Sequence, residues 1–361
     1  MQRRQFLTAG LAGAGALVGS PAIAQTAPQI HWRLASAFPA SLDILYGGAD
    51  IFARAVSEAT DGRFTIEIHP AGDIVGPLDV FDAVKKGDID CAQTAMHYHW
   101  GEEPALVFAT GVPFGMNARQ QNSFFRHGGG TDLFNEILVD HQIYALPAGN
   151  TGCQMGGFFR REISEVDDFR NLKFRITGLA GKALQKIGCI PTAAGRAEIA
   201  AALASGSLDA AAWVAPYDDE KLDLIKAAPW YYYPGWWLGS MAVHIAINLQ
   251  KWNDLPKSYQ GVVRAAAELA NADMLAKYDG LNAPALKRLV TAGAKLRPFP
   301  QDVLEACYQA ASELYTEVAD SDAKFKNAYE TTMAYRNDEY LWWQVAEYPF
   351  DNFQIRERAK G

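Results

Sequence analysis

Cysteine is scarce in this sequence: four in 361 residues, at positions 91, 153, 189 and 307. That is too few for a disulfide scaffold, and no two approach a C-x-x-C spacing, so zinc and thioredoxin-type chemistry is excluded. Positive charge is also short. Lys and Arg number 33 against 41 Asp and Glu, giving a net charge of -8, and no stretch is basic enough to track a phosphate backbone. Nucleic acid is therefore not an expected partner. Past the first two dozen residues no segment has 18 uninterrupted apolar residues, so none reads as a membrane span.

Catalytic motifs are missing as well. His127-Gly128-Gly129-Gly130 resembles an oxyanion-hole loop, but no G-x-S-x-G elbow exists to supply a nucleophile, and the run reads as a glycine turn. Gly181-Lys182 lacks the earlier Gly and following Ser/Thr of a phosphate loop, and Gly13-Ala14-Gly15 falls inside the apolar leader. His97 and His99 straddle Tyr98, a spacing that places both imidazoles on one face of a strand. With no carboxylate or Cys at ligand spacing, they read as hydrogen-bonding or cleft-wall residues rather than a metal pair. There is no internal repeat and no low-complexity linker.

What the chain does have is apolar mass: 49% hydrophobic and 12% aromatic residues, enough for a large core. The length suggests about two domains, and two lobes imply a cleft. Arg3-Arg4 precede an apolar run from Leu7 to Val18, and Pro21-Ala22-Ile23-Ala24 supplies small residues at an A-x-A site. Residues 1–24 thus read as a secretory signal of twin-arginine type, predicting a periplasmic protein of 337 residues with a net charge of -10 after cleavage. In that compartment the four Cys could pair, but a large domain does not need the crosslink, and buried reduced thiols are expected.

Strand patterns at Gln29–Leu34, Phe64–His69 and Ile89–Gln93 alternate with helix patterns at Leu42–Ala59, where Ser41 is placed to cap, and at Leu78–Lys86. This alternation predicts parallel βαβ units. The pattern restarts with strands at Ile143–Ala148, Gln154–Arg160, Leu172–Ile176 and Leu208–Trp213 and helices at Leu179–Ile187 and Glu198–Ala204. Pro229 to Trp237 reads as a rigid aromatic connection, and Met241–Asn248 as a further strand. Helices follow over Ser258–Tyr278, Ala283–Ala292, Gln301–Val318 and Ser321–Ala334. The predicted fold is α/β, with a first lobe over 25–150, a second over 151–240, and a return strand plus shared helical region over 241–361.

Four segments, Trp32-Arg33-Leu34-Ala35-Ser36, Gly149 to Gly157, Asn171-Leu172-Lys173-Phe174-Arg175 and Trp213 to Lys221, together with Tyr231 to Trp237, carry a resemblance. The mature chain resembles the DctP family of extracytoplasmic solute receptors for TRAP transporters, most closely the receptors for 2-oxo and 2-hydroxy monocarboxylates. The resemblance implies a two-lobed periplasmic binding protein fold with the ligand in the cleft, a small carboxylate as ligand, and TRAP permease subunits as partners. It implies that Arg175 makes a two-pronged ion pair with the ligand carboxylate, a role suited to a planar guanidinium that cannot lose its charge. By the same carry-over Gln154 contacts the carboxylate, Asn150 and Tyr98 hydrogen-bond the neighbouring substituent, and Trp213 forms cleft wall. Tyr98 equally fits a packing role among its aromatic neighbours.

One departure matters. Receptors of the 2-oxo acid group hold a cation against the ligand carboxylate with the glutamine, a Glu just before the tryptophan of the W-x-x-P segment, and a Glu after the P-G-W element. Here the two acidic positions read Ala212 and Leu238. Two carboxylates without their cation would repel an anionic ligand in a partly desolvated cleft, and replacing both by apolar residues removes that conflict. The expectation is a metal-free cleft with no cofactor, binding without catalysis. The rivals are a ligand-binding sensory module and an enzyme acting on 2-oxo acids. Tyr340 to Phe350 is apolar for a chain end, and either packs on its own lobes or mediates a homodimer through an exchanged C-terminal helix.

Overall fold

The computed structural model describes residues 28–176, 178–192 and 196–360; the predicted leader lies outside them. The strands, in chain order, are β1 (Ile30–Ser36), β2 (Phe64–His69), β3 (Cys91–Thr94), β4 (Ile143–Asn150), β5 (Gly157–Phe159), β6 (Lys173–Arg175), β7 (Ile190–Thr192), β8 (Ala210–Ala211), β9 (Trp230–Tyr233), β10 (Ala242–Asn248) and β11 (Lys295–Pro298). They form two sheets, ordered β2-β1-β3-β10-β4 and β11-β9-β5-β8-β6-β7.

In the first sheet β1 runs parallel to β2 and β3, as the alternation predicted, while β10 is antiparallel to β3 and β4. The sheet is therefore mixed. Strand β10 is buried along its length up to Asn248, which is why, His244 apart, it reads as an apolar run rather than an alternating one. Helix Asp43–Ala59 packs on this sheet with Ile44, Leu45, Ala49, Phe52, Ala53 and Val56, a stripe at helical spacing. Ser41 does not cap it: Leu42 holds the cap position, and no side chain bonds there.

The second sheet shows what the sequence pattern left out. Trp230–Tyr233, expected as a connection, is a strand paired with β5 and β11, with Tyr231 and Tyr232 buried. Its aromatic run masks the period-2 signal because both faces are covered by protein. The Tyr233–Pro234 peptide is cis. Helix Lys257–Thr291 runs unbroken through Pro284, where two helices were expected. Tyr278 on one side of the proline and Ala285 and Leu289 on the other are buried, so packing outweighs the lost hydrogen bond. Residues 96–99 form a 3-10 turn rather than a strand, and the two histidines diverge.

Helix Gln301–Ser321 joins the two halves. Its Val303 and Cys307 enter the core of the second sheet with Phe159, Phe174 and Phe299, and its Leu314 and Tyr315 enter the core of the first with Phe108 and Phe124. Helix Ala323–Trp343 follows, then helix Glu347–Arg358, none of whose residues is buried. The four cysteines are free. Cys91, Cys189 and Cys307 are buried as expected, but Cys153 is exposed, a correction that follows from its place in the loop after β4. No described helix is long and apolar enough to cross a membrane.

Candidate functional site

A cleft of about 160 Å³ opens where the carboxyl ends of strands from both sheets meet. Phe38 lies just past β1, His97 and Tyr98 just past β3, Arg175 ends β6, and Ala212 and Trp213 follow β8. Strand ends are where an open α/β sheet leaves backbone free to turn away and side chains free to face a ligand. Leu42 at the cap of the first helix, Leu45 within it, Trp237, Leu238 and Met241 complete much of the wall.

Arg175 is the one Lys or Arg among the described lining residues, and no Asp, Glu, Cys, Ser, Thr or Lys lines the cleft with it. Its Nη1 donates to the carbonyl of Ala212 at 2.7 Å, and the guanidinium carbon lies 4.8 Å from the centroid of the Trp213 ring. Burial works against its charge and lowers its pKa, opposed by Tyr98 and Asp219, but a guanidinium stays protonated throughout. Tyr98 keeps 37% of its surface exposed. Enclosure of its phenol raises its pKa and the Arg175 charge resists the rise, so it is a neutral hydroxyl at neutral pH.

Gln154 is positioned by its backbone. Its N–H donates to the Leu238 carbonyl at 3.1 Å, and its own carbonyl accepts from the N–H of Gly235 at 2.9 Å. A Cβ on Gly235 would sit 2.5 Å from that carbonyl oxygen, so only glycine allows the approach. Among the described residues, the side-chain amide of Gln154 meets the thioether of Met241 at 3.7 Å, a weak acceptor that leaves the amide available.

Asn150 is placed elsewhere. It is fully buried and does not line the cleft: its Nδ2 donates to Gln121 Oε1 at 2.8 Å and its Oδ1 accepts from the Gly152 N–H at 2.8 Å. Ser240 Oγ lies 2.9 Å from the same Gln121 oxygen. These bonds turn the chain after β4 toward Gln154, so Asn150 shapes the loop from behind. Sequence reading could not find the Gln121–Asn150–Ser240 cluster, because its members are far apart in the chain and neither Gln121 nor Ser240 sits in a motif.

His97 lines the cleft, with its pKa lowered to about 4 by burial and by neighbouring His99. His99 faces the other way, stacked on Phe81 at 4.4 Å and 3.1 Å from Thr94 Oγ1, so the pair shares no face and no ligand. Trp213 Nε1 and His97 Nδ1 are buried with no hydrogen-bond partner among the described residues. The Gly128–Gly130 run lies away from the cleft, as a turn between helices Ala118–His127 and Gly130–Leu138 with Gly129 at φ +80.

Bonded to Val214 of the cleft wall sits a buried acid. Asp219 accepts from Tyr231 Oη at 2.6 Å and from the Val214 N–H at 3.0 Å. Burial pushes its carboxyl up to about 7, against those bonds and the charge of Arg175. No group of three or more His, Cys, Asp or Glu among the described residues could hold a metal ion. Ala212 and Leu238 both lie in the cleft wall, so the positions where the resemblance places cation-holding carboxylates present a methyl and an isobutyl group. Neither position supplies a carboxylate to the cleft.

A model of the bacterial extracellular solute-binding protein family 7, DctP, matches residues 35–322. A monocarboxylate 2-oxoacid-binding periplasmic protein of Nostoc sp. is 42% identical over 98% of this chain and 99% of its own. A TRAP transporter solute-binding protein from Bordetella bronchiseptica, crystallised with calcium and picolinate at one site of a dimer, is 39% identical, with a TM-score of 0.88 over 92% of this chain and 99% of its own. One from Pseudoalteromonas atlantica, with sodium and pyruvate bound, is 34% identical, with a TM-score of 0.85 over 90% of this chain and 99% of its own.

Proposed function

The chain belongs to the bacterial extracellular solute-binding protein family 7, DctP, and from that premise we propose that it captures a small organic monocarboxylate of the 2-oxo or 2-hydroxy type in the periplasm and delivers it to the membrane subunits of a TRAP transporter. The observation that carries the ligand class is the charge pattern of the cleft. Arg175 is the one Lys or Arg among the described lining residues, within largely apolar walls, in a protein whose net charge is -8, so attraction for an anion must be local. The relatives named for 2-oxoacids, pyruvate and picolinate support the same class.

In this reading Arg175 takes the carboxylate in bidentate geometry, with the guanidinium already turned by Ala212 and Trp213. Gln154 and Tyr98 supply hydrogen bonds, Trp213 forms the wall, and Asn150 acts through the loop it braces. The lobes, 25–150 and 151–240, close around the ligand with 241–361 bridging them. In this reading no bond of the ligand changes, and among the described lining residues no nucleophile is paired with a base, as an enzyme would need. We propose further that the cleft takes its ligand without a resident cation.

The exposed Trp342, Val345, Tyr348, Phe350, Phe353 and Ile355 support a homodimer in which the C-terminal helix of each copy is covered by the other. The ligand assignment is tested by a thermal-shift screen of organic acids on the protein and on Arg175→Ala. A ligand at 100 times its Kd should add about 2.7 kcal/mol of stability. The variant should lose about 2 to 5 kcal/mol of binding energy, and unchanged affinity would refute the assignment.

A further inference from the structure

The two apolar residues that stand in place of acids do more than remove a cation. Ala212 and Leu238 join the cleft surface. Leu238 packs against the core of the second sheet with Trp237 and against a cluster holding Phe38, Leu42 and Met241, so it bridges apolar surface contributed by both halves. It also lies against Gly111, where a Cβ would be 3.0 Å from Leu238 Cδ2 and 2.3 Å from the Ser240 carbonyl oxygen, so the backbone there admits no side chain. The position is filled by hydrocarbon, and Leu42, Leu45, Trp237 and Met241 add apolar wall to the same cleft.

The change alters what the cleft can read. A cation beside a ligand carboxylate can be chelated by that carboxylate together with a 2-oxo oxygen, so it rewards the oxygen. Without it the 2-oxo group meets neutral donors among the described lining residues, such as the Gln154 amide and the Tyr98 hydroxyl, and one such hydrogen bond contributes about two- to tenfold in affinity. Each methylene buried against the wall contributes about fourfold. A water needs about 10 to 15 Å³. The cleft of about 160 Å³ therefore takes on the order of ten non-hydrogen atoms, more than a three-carbon acid supplies.

We infer that this receptor selects its ligand by the apolar tail rather than by the 2-oxo oxygen: it takes monocarboxylates with a branched or aromatic tail, whether or not a 2-oxo group is present, and does so without metal. This rests on Arg175 as the carboxylate clamp and names the ligand class of that same site.

Calorimetry on the full mature protein, stripped with chelator and held in a sodium-free buffer, tests it with three probes: 4-methyl-2-oxopentanoate, 4-methylpentanoate and pyruvate. The two branched acids should bind within about tenfold of each other. Pyruvate should bind at least about thirtyfold more weakly, and added Ca²⁺ or Na⁺ should change none of the three. The inference is overturned if pyruvate matches the branched acid, if removing the 2-oxo group abolishes binding, or if binding requires the cation. In each of those cases an Arg175→Ala loss would leave the receptor reading standing. If no carboxylate binds in an Arg175-dependent way, both fail. The double variant Ala212→Glu, Leu238→Glu should reverse the pattern, with pyruvate binding appearing only when Ca²⁺ or Na⁺ is added.

Discussion

The guanidinium of Arg175 lies over the indole of Trp213, 4.8 Å from its centroid, while Nη1 is fixed to the Ala212 carbonyl. The cation is thus oriented before any ligand arrives, which cuts the ordering cost of a bidentate contact. Arg175→Lys should therefore weaken binding nearly as much as Arg175→Ala, because an ammonium keeps the charge but not the fork. Trp213→Leu, which retains apolar wall, should cost about 1 kcal/mol by removing the ring face. Titration calorimetry on both separates the contributions, and full retention of affinity in the lysine variant would show that charge alone suffices.

Across the lip of the cleft, Asp43 at the start of the first helix accepts from Tyr217 Oη at 2.7 Å and from Lys221 Nζ at 2.5 Å, both in the segment leaving the second sheet. Burial works to raise its pKa, but these two bonds outweigh it and hold the carboxyl below its ordinary value. Because Asp43 is 56% exposed, the pair is worth about 0.2 to 1 kcal/mol. Asp43→Ala should raise the ligand off-rate about two- to fivefold by stopped flow, with little change in on-rate. Lys221→Ala should cost more stability, since Lys221 also pairs with the fully buried Asp218 at 3.2 Å.

Asp219 should make binding depend on pH. Above about 7 its carboxylate is charged and, near Arg175, competes with an anionic ligand; below that value it is neutral and the competition ends. Affinity should fall severalfold as pH rises from 6 to 8, and Asp219→Asn should flatten the profile. The same raised pKa works against the fold. Between 3.8 and about 7 the native state binds a proton that the unfolded state has released, so this group's contribution to stability declines as pH rises through that window. A wild-type affinity independent of pH over this range would remove Asp219 from the account.

The C-terminal segment should decide the oligomeric state. Phe350→Glu with Phe353→Glu places charge on a surface where both side chains are more than half exposed, so the monomer should fold unchanged. Light scattering is expected to show a dimer for the wild-type protein and a monomer for the double variant. Equal masses for the two would assign the patch another role.

Much of the architecture was legible because local pattern carried it. The parallel start β1, β2, β3 with helix Asp43–Ala59 follows from apolar spacing. Strand β9 and the unbroken helix through Pro284 were not legible, since pairing and packing from distant segments overrode the local signal. At the site, Arg175, Gln154 and Trp213 could be named from the segments that carry the resemblance, and Tyr98 from its match to the hydrogen-bonding position of related receptors; the structure gathers the four in one cleft. Asn150 came from the same segments, yet its amide is taken up by Gln121 and the Gly152 N–H.

The sequence by itself determined the chemistry available: one kind of charge fit for a carboxylate at position 175, and hydrocarbon at 212 and 238 where acids were expected. Side-chain identity is a local property, so it can be read without coordinates. Tertiary structure alone decided which residues face the ligand. Only chain crossings set Leu238 against Gly111, turn His97 into the cleft and His99 out of it, and bury Asp219 against the Tyr231 hydroxyl with its carboxyl pushed up to about 7. Those outcomes depend on burial and on neighbours remote in the chain, which no local pattern records.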